Sequence, residues 1–368
     1  MRKLFYLFIV AMCATMFTAC SDDDKDPLDD DGEGKEGVIT MTTEETDILW
    51  LGVETFNEGE IITIDWGDGN VEELKSFEYP DRDENGEDEI RYVIGNDEDY
   101  EDGIRHVYSN DKLYTITIKG KIKALFTGEG DYISSLDVSK CTALTDLDCG
   151  GNNLTSLDVS KNTALTQLSC YGNNLTSLDV SKNTALTRLY CGGNNLTSLD
   201  ISKNTALIRL SCSSNNLTLL NVSGCTALTE LECWDNNLTS LDVSGCTALT
   251  RLDCRSNNLT SLNVSGCTAL TELECWDNNL TSLDVSGCTA LTRLDCRSNN
   301  LTSLNVSGCT ALEYLVGSDN NLTSSALNQI FRDLPQVTVG IIFIKNNLGA
   351  DTCDKSIAEN KGWDVYYW

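Results

Sequence analysis

One period governs this chain. Leu136, Leu157, Leu178, Leu199, Leu220, Leu241, Leu262, Leu283 and Leu304 recur every 21 residues, so residues 136–324 hold nine units without an insertion. A fixed period of this size means a stack of coils, because one coil cannot cover its own apolar face. About five large apolar groups per coil gain ~1.5–3 kcal/mol each on burial. Ordering a coil costs ~1–2 kcal/mol per residue. A single unit therefore cannot fold alone, and the stack folds as a stack.

Each unit has a ten-residue half, L-T-x-L-x-C-x-x-N-N, and an eleven-residue half, L-T-S-L-D-V-S-x-(N/C)-T-A. The first half predicts a short parallel strand with leucine and cysteine inward. The second predicts an extended or irregular opposite wall. No stretch of a unit carries a helical apolar period, so the solenoid is expected to be nearly all β.

The core pattern L-x-x-L-x-C-x-x-N-x-L, as in Leu165, Leu168, Cys170, Asn173 and Leu175, resembles the leucine-rich-repeat family. Cysteine stands where many members carry leucine or asparagine. The 21-residue unit is similar to that of internalin-like repeats, and the resemblance covers about half the chain. It implies a solenoid whose inward asparagines satisfy loop backbone and whose strand side forms a concave binding face.

Cysteine falls in two columns. Cys149, Cys170, Cys191, Cys212, Cys233, Cys254, Cys275 and Cys296 share one phase. Cys141, Cys225, Cys246, Cys267, Cys288 and Cys309 share another, which Asn162, Asn183 and Asn204 also occupy. Exchange of Asn with Cys suits a buried side chain bonded to a neighbouring loop. Zinc needs closely spaced pairs, which these gaps lack. A disulfide between coils ~4.8 Å apart meets the distance, but parallel side chains fit the bridge geometry poorly. Setting Cys13 and Cys20 aside from 17 also leaves an odd number. Buried thiols acting as small hydrophobes are expected.

Residues 21 apart become cross-strand neighbours in such a stack. One column then runs Arg209, Glu230, Arg251, Glu272, Arg293, Tyr314 and alternates in sign. A second contains Tyr171, Trp234, Arg255, Trp276 and Arg297, where indole and guanidinium can stack. A third, mostly acidic, contains Tyr190. Tyr171, Tyr190, Trp234, Arg255, Trp276 and Arg297 are the candidate partner-binding residues, since aromatics and arginine dominate binding hot spots. A self-stabilising surface is the plainer reading. Residues 220–261 and 262–303 are identical, so copying alone makes Trp recur.

The N-terminus reads MRKLFYLFIVAMCATMFTAC, a charged start and an apolar run too short for a stable span. Phe17-Thr18-Ala19-Cys20 resembles the lipobox of bacterial lipoproteins, which implies a signal peptide over 1–19 and lipidation of Cys20. The following Ser21-Asp22-Asp23-Asp24 is similar to an export tag for the outer face of the outer membrane. Residues 20–37 read as an acidic tether with no apolar pattern to fold it. Residues 21–135 carry 34 acidic against 10 basic side chains, which repels nucleic acid and anionic lipid.

Residues 38–126 predict short alternating strands at Val38–Thr42, Ile61–Trp66 and Tyr114–Ile118. The combination IDWGDG, His106-Val107-Tyr108 and YTITIKG looks like a PKD-type domain, an immunoglobulin-like β-sandwich. That resemblance makes His106 structural rather than catalytic. Asp81, Asp83 and Asn85 match the front of a calcium loop, D-x-D-x-N-G, but Tyr92 stands where the bidentate glutamate belongs. An exposed acidic hairpin is the competing reading. Residues 127–135 are expected to begin the solenoid's N-terminal cap. Residues 325–368 read helix, strand, short helix, strand, a small α/β cap.

The expected fold is thus mainly β: a leucine-rich-repeat solenoid with an N-terminal sandwich and an α/β C-terminal cap. Function follows as a monomeric, membrane-anchored surface module or adhesin that binds an extracellular or host protein. A surface glycan stacked on the aromatic column is the alternative. The sole histidine and the absence of a nucleophile–base pattern argue against an enzyme, and no cofactor is implied beyond the weak calcium pattern.

Overall fold

The computed structural model describes residues 35–43, 48–82, 88–94, 104–108, 112–130 and 132–367. They form two compact units, one up to Leu175 and one from Thr176.

The first unit is built from β1 (Gly37–Thr43), β2 (Ile48–Thr55), β3 (Ile61–Asp65), β4 (Val71–Arg82), β5 (Asp88–Ile94) and β6 (Ile104–Val107). These are followed by β7 (Tyr114–Gly120), β8 (Ile122–Thr127), β9 (Ile133–Asp137), β10 (Asp146–Asp148) and β11 (Gln167–Ser169). Alternation in β1 buries Ile39 and Met41 and leaves Val38, Thr40 and Thr42 half-buried. One antiparallel sheet runs β9-β1-β7-β3 and ends on residues 71–75 of β4. In the second, β2 pairs with β8 on one side and with β5 and β6 on the other, and β4 continues beyond Ser76 along β5.

These two sheets run directly into the first coil. Strand β8 is antiparallel to β2 yet parallel to β10, with Ala124 opposite Asp146, and β10 is parallel to β11. On the other wall β9 pairs with β1, Leu136 opposite Met41. Each wall of the coil therefore continues one sheet, so the apolar end of the stack is covered without a separate lid.

The W-G-D-G turn is clamped by the H-x-Y segment. The His106 ring stacks on Trp66 with centroids 4.3 Å apart, and its Nε2 lies 2.9 Å from Asp68 Oδ2. Tyr108 donates its hydroxyl hydrogen to the Trp66 carbonyl at 3.0 Å. Against the desolvation of its burial, the Asn70 amide and His106 hold the Asp68 carboxyl below its usual range. Gly67 has φ +75°, and a Cβ there would lie 2.5 Å from the Thr115 carbonyl oxygen, so the turn admits only glycine.

In the second unit the strand wall comprises β12 (Arg188–Tyr190), β13 (Arg209–Ser211), β14 (Glu230–Glu232), β16 (Arg251–Asp253), β18 (Glu272–Glu274), β20 (Arg293–Asp295) and β22 (Tyr314–Val316). All are parallel and in 21-residue register, with the central leucine of each buried. The opposite wall is partly β: β15 (Ser240–Asp242) pairs with β17 (Ser261–Asn263), and β19 (Ser282–Asp284) with β21 (Ser303–Asn305). No helix interrupts the described coils.

Inside, Asn257 meets four backbone groups: its Nδ2 donates to the carbonyls of Cys233 at 3.0 Å, Cys254 at 3.2 Å and Arg255 at 3.2 Å, and its Oδ1 accepts from the Leu238 amide. The exchange of Asn with Cys also has its expected basis. Asn204 Nδ2 donates to the Val180 carbonyl at 3.0 Å, and Cys246 Sγ and Cys309 Sγ donate to the equivalent Val222 and Val285 carbonyls at 3.5 and 3.1 Å. The described cysteines are buried free thiols.

The C-terminal elements follow the expected order. Thr323 caps α1 (Ser324–Asp333), which buries Leu327, Ile330 and Phe331. Strands β23 (Gly340–Phe343) and β24 (Trp363–Tyr366), with α2 (Ser356–Glu359) between them, extend the parallel sheet from β22.

Candidate functional site

The strand wall of the second unit projects every first and third strand residue outward, in register at the ~4.8 Å spacing of adjacent strands. That spacing decides what the columns can do. In the first, Arg251 lies 2.6 Å from Glu232 and 3.4 Å from Glu272, and Arg293 lies 3.1 Å from Glu272. Arg209 meets Glu230 at 3.2 Å. Alternating sign thus becomes ion pairs at Arg209–Glu230 and along Arg251–Glu272–Arg293, with Arg251 also reaching across to Glu232 of the acidic column.

Just beyond the strands lies the aromatic column. The Arg255 guanidinium sits 5.0 Å from the Trp234 ring centroid and 5.4 Å from that of Trp276, and Arg297 sits 4.9 Å from Trp276. Trp276 therefore has a cation on each face. Arg255 is itself fixed by Asp253 at 3.1 Å and Glu274 at 3.0 Å, and Arg297 by Asp295 at 3.5 Å. Four of the six sequence-derived binding residues, Trp234, Arg255, Trp276 and Arg297, are brought together in this way. Tyr190 lies half-buried in β12, beside Ser211. Tyr171 belongs to the first unit, where its ring covers Gly150 and its hydroxyl donates to Glu129.

Two features of this face were not anticipated. Asp253 and Asp295 are almost fully buried beneath the arginines. Desolvation pushes the Asp253 carboxyl up to about 6 although Arg255 pulls the other way, and Asp295 shifts upward for the same reason. Next to the aromatic column, Asp235, Asp277 and Asp319 adopt the left-handed conformation with φ of 54–56°. The alternation of Ser with Asp at this phase, in a position held by glycine at 151, 172 and 193, was the available signal.

Asp83 and Asn85 lie outside the described residues. Asp81 stands in β4 opposite Glu89 of β5, in one arm of a hairpin. Cys20 also lies outside the described residues. Among those described, no group of three or more His, Cys, Asp or Glu side chains is arranged to hold a metal ion.

No protein-family model and no curated protein sequence matches the chain. Among solved structures, the functional domain of InlJ from Listeria monocytogenes, described as including a cysteine ladder, matches with a TM-score of 0.58 at 38% identity. The match covers 67% of this chain and 53% of that one, so the chain spans about half of the InlJ domain. The plant peptide hormone receptor RGFR1, solved in complex with RGF2, gives 0.50 at 22% identity over 62% of this chain and 40% of that one. The internalin InlF from Listeria monocytogenes gives 0.43 at 21% identity over 67% and 86%. Parallel in-register coils, an inward asparagine ladder and the likeness to InlJ together identify the fold as an internalin-like leucine-rich-repeat solenoid.

Proposed function

We propose that this chain is a non-catalytic binding module, held on a bacterial surface, that takes a protein partner on the strand face of its second unit. Repeat proteins of the internalin type are in general protein-binding modules. The observation that carries the reading is the pre-ordered Trp234–Arg255–Trp276–Arg297 stack. Its members are half-exposed or exposed, yet ion pairs and cation–π contacts already fix their rotamers. A partner binding there loses little side-chain entropy, which is the usual basis of a tryptophan and arginine hot spot.

The surface location rests on sequence: Cys20 as lipid anchor, the acidic residues after it as export tag, and residues 20–37 as tether. The Trp66–His106–Asp68 clamp supports a PKD-type reading of residues 38–126, with that region spacing the solenoid from the membrane. The glycan alternative is less favoured. A sugar ring stacks on an aromatic face, and guanidiniums occupy both faces of Trp276.

The test is a pull-down of extracellular host proteins on residues 37–368, with crosslinks mapped by mass spectrometry. Captured protein should crosslink within residues 209–319 and be lost from the Trp234→Ala/Trp276→Ala variant, checked for an intact fold by circular dichroism. Equal recovery from both chains would refute the assignment of this face.

A further inference from the structure

We propose that the partner of this face is an extended cationic segment in polyproline II conformation, with Lys or Arg at every third residue. The inference rests on the reading that the strand face of the second unit binds protein.

Charge selects a cation. Between Arg209 and Asp319 the strand positions and the two columns beside them carry five arginines against nine carboxylates. The arginines are already engaged: Arg251 with Glu232 and Glu272, Arg255 with Asp253 and Glu274, Arg293 with Glu272, Arg297 with Asp295. An anionic partner would have to break these pairs. Asp235, Asp277 and Asp319 are exposed, and among the described residues none forms an ion pair. Neutral donors orient them: Ser214 Oγ bonds Asp235 at 3.2 Å, Ser256 Oγ bonds Asp277 at 3.4 Å, and Asn346 Nδ2 bonds Asp319 at 2.6 Å.

Spacing selects the conformation. These carboxylates recur every second coil, ~9.6 Å apart for strands at ~4.8 Å. A polyproline II helix returns to the same side every three residues, ~9.3 Å. A β-strand turns its third residue to the opposite face. An α-helix comes back near the same face only after seven residues, ~10.5 Å, and drifts off the column by about 1 Å at each step. Trp234 and Trp276 share the two-coil spacing of these carboxylates and lie in the column beside them.

Fluorescence anisotropy with the full chain tests the proposal, using labelled (Lys-Pro-Pro)5 as probe. Controls are (Lys-Pro-Pro-Pro)5, a helical peptide with five heptad-spaced lysines, and (Glu-Pro-Pro)5. The three-residue spacing should bind at least about tenfold more tightly than any control. The Asp235→Asn/Asp277→Asn/Asp319→Asn variant should lose about tenfold in affinity at an unchanged melting temperature, because asparagine tolerates the left-handed backbone. Equal binding of the three- and four-spaced peptides overturns the proposal, as does binding that survives the triple substitution. If a protein crosslinks to this face while no cationic peptide binds, this inference falls and the binding-module reading stands. Loss of both removes both.

Discussion

Asp253 sits where charge, burial and the aromatic column meet. Its carboxyl is buried next to Arg255, and desolvation raises it from the usual 3.8 to about 6. Between those values the folded chain binds a proton that the unfolded chain does not, so stability falls as pH rises through that window. The turn aspartates act with the opposite sign. Bonds from Ser244 and Ser286 hold Asp242 and Asp284 below 3.8, so the stability they contribute is lost only as pH falls beneath that value. Urea unfolding from pH 3 to 7 should therefore show a maximum at pH ~4, and Asp253→Asn should flatten the limb between ~4 and ~6. An unaltered profile would show that Asp253 titrates normally. The stacking of Trp with Arg was legible in the sequence, because a 21-residue offset converts into strand neighbours. The buried aspartates were not: an outward strand position reads as exposed until the arginine of the same coil is seen folded over it.

At the scale of the element, the opposite wall answers like-charge stacking in two ways. Carboxylates one coil apart would repel by about 1 kcal/mol even in water. In the earlier coils Lys182 and Lys203 help hold Asp179 and Asp200 down, after the hydrogen bonds from Ser181 and Ser202. In the later coils glycine replaces that lysine, and aspartate alternates with asparagine: Asp242, Asn263, Asp284, Asn305. Asn263 Nδ2 then donates to Asp242 Oδ1 at 3.1 Å. The cysteine columns are the matching inner elements. Burial raises the thiols of the second column, to about 12 at Cys246 and Cys288 and about 11 at Cys267 and Cys309. Thiolate is the reactive form, so the 15 described cysteines should resist a disulfide reagent at pH 8 and label only in step with global unfolding. Rapid labelling of any of these 15 in the native chain, located by peptide mapping, would contradict the packing. In the first unit the sequence revealed only some strands. β1, β3 and β7 alternate cleanly, whereas β2 is buried at nearly every position and β4 and β5 are so acidic that neither shows a period-two pattern.

At the scale of the molecule, the second unit carries a built-in test of its own register, since residues 220–261 and 262–303 are the same sequence. Excising 262–303 joins Ser261 to Leu304, the junction that Ser303 already makes, so every surviving residue keeps a neighbour of the kind it had. Excising only 241–261 removes half as much chain but sets Glu230 against Glu272, Glu232 against Glu274 and Trp234 against Trp276, with Arg251 and Arg255 gone. Two stacked glutamate pairs at ~4.8 Å repel within one Debye length, ~10 Å at 0.1 M salt. The 21-residue deletion should therefore gain several degrees in melting temperature between 0.05 and 0.5 M NaCl, at about 1 kcal/mol per pair relieved. The 42-residue deletion should track the salt response of the parent chain. Identical salt responses from the two deletions would mean that the columns seen here do not set the stacking energy. A steeper response from the shorter deletion would show that a charge code of period 42, written over a core of period 21, governs which coil can follow which.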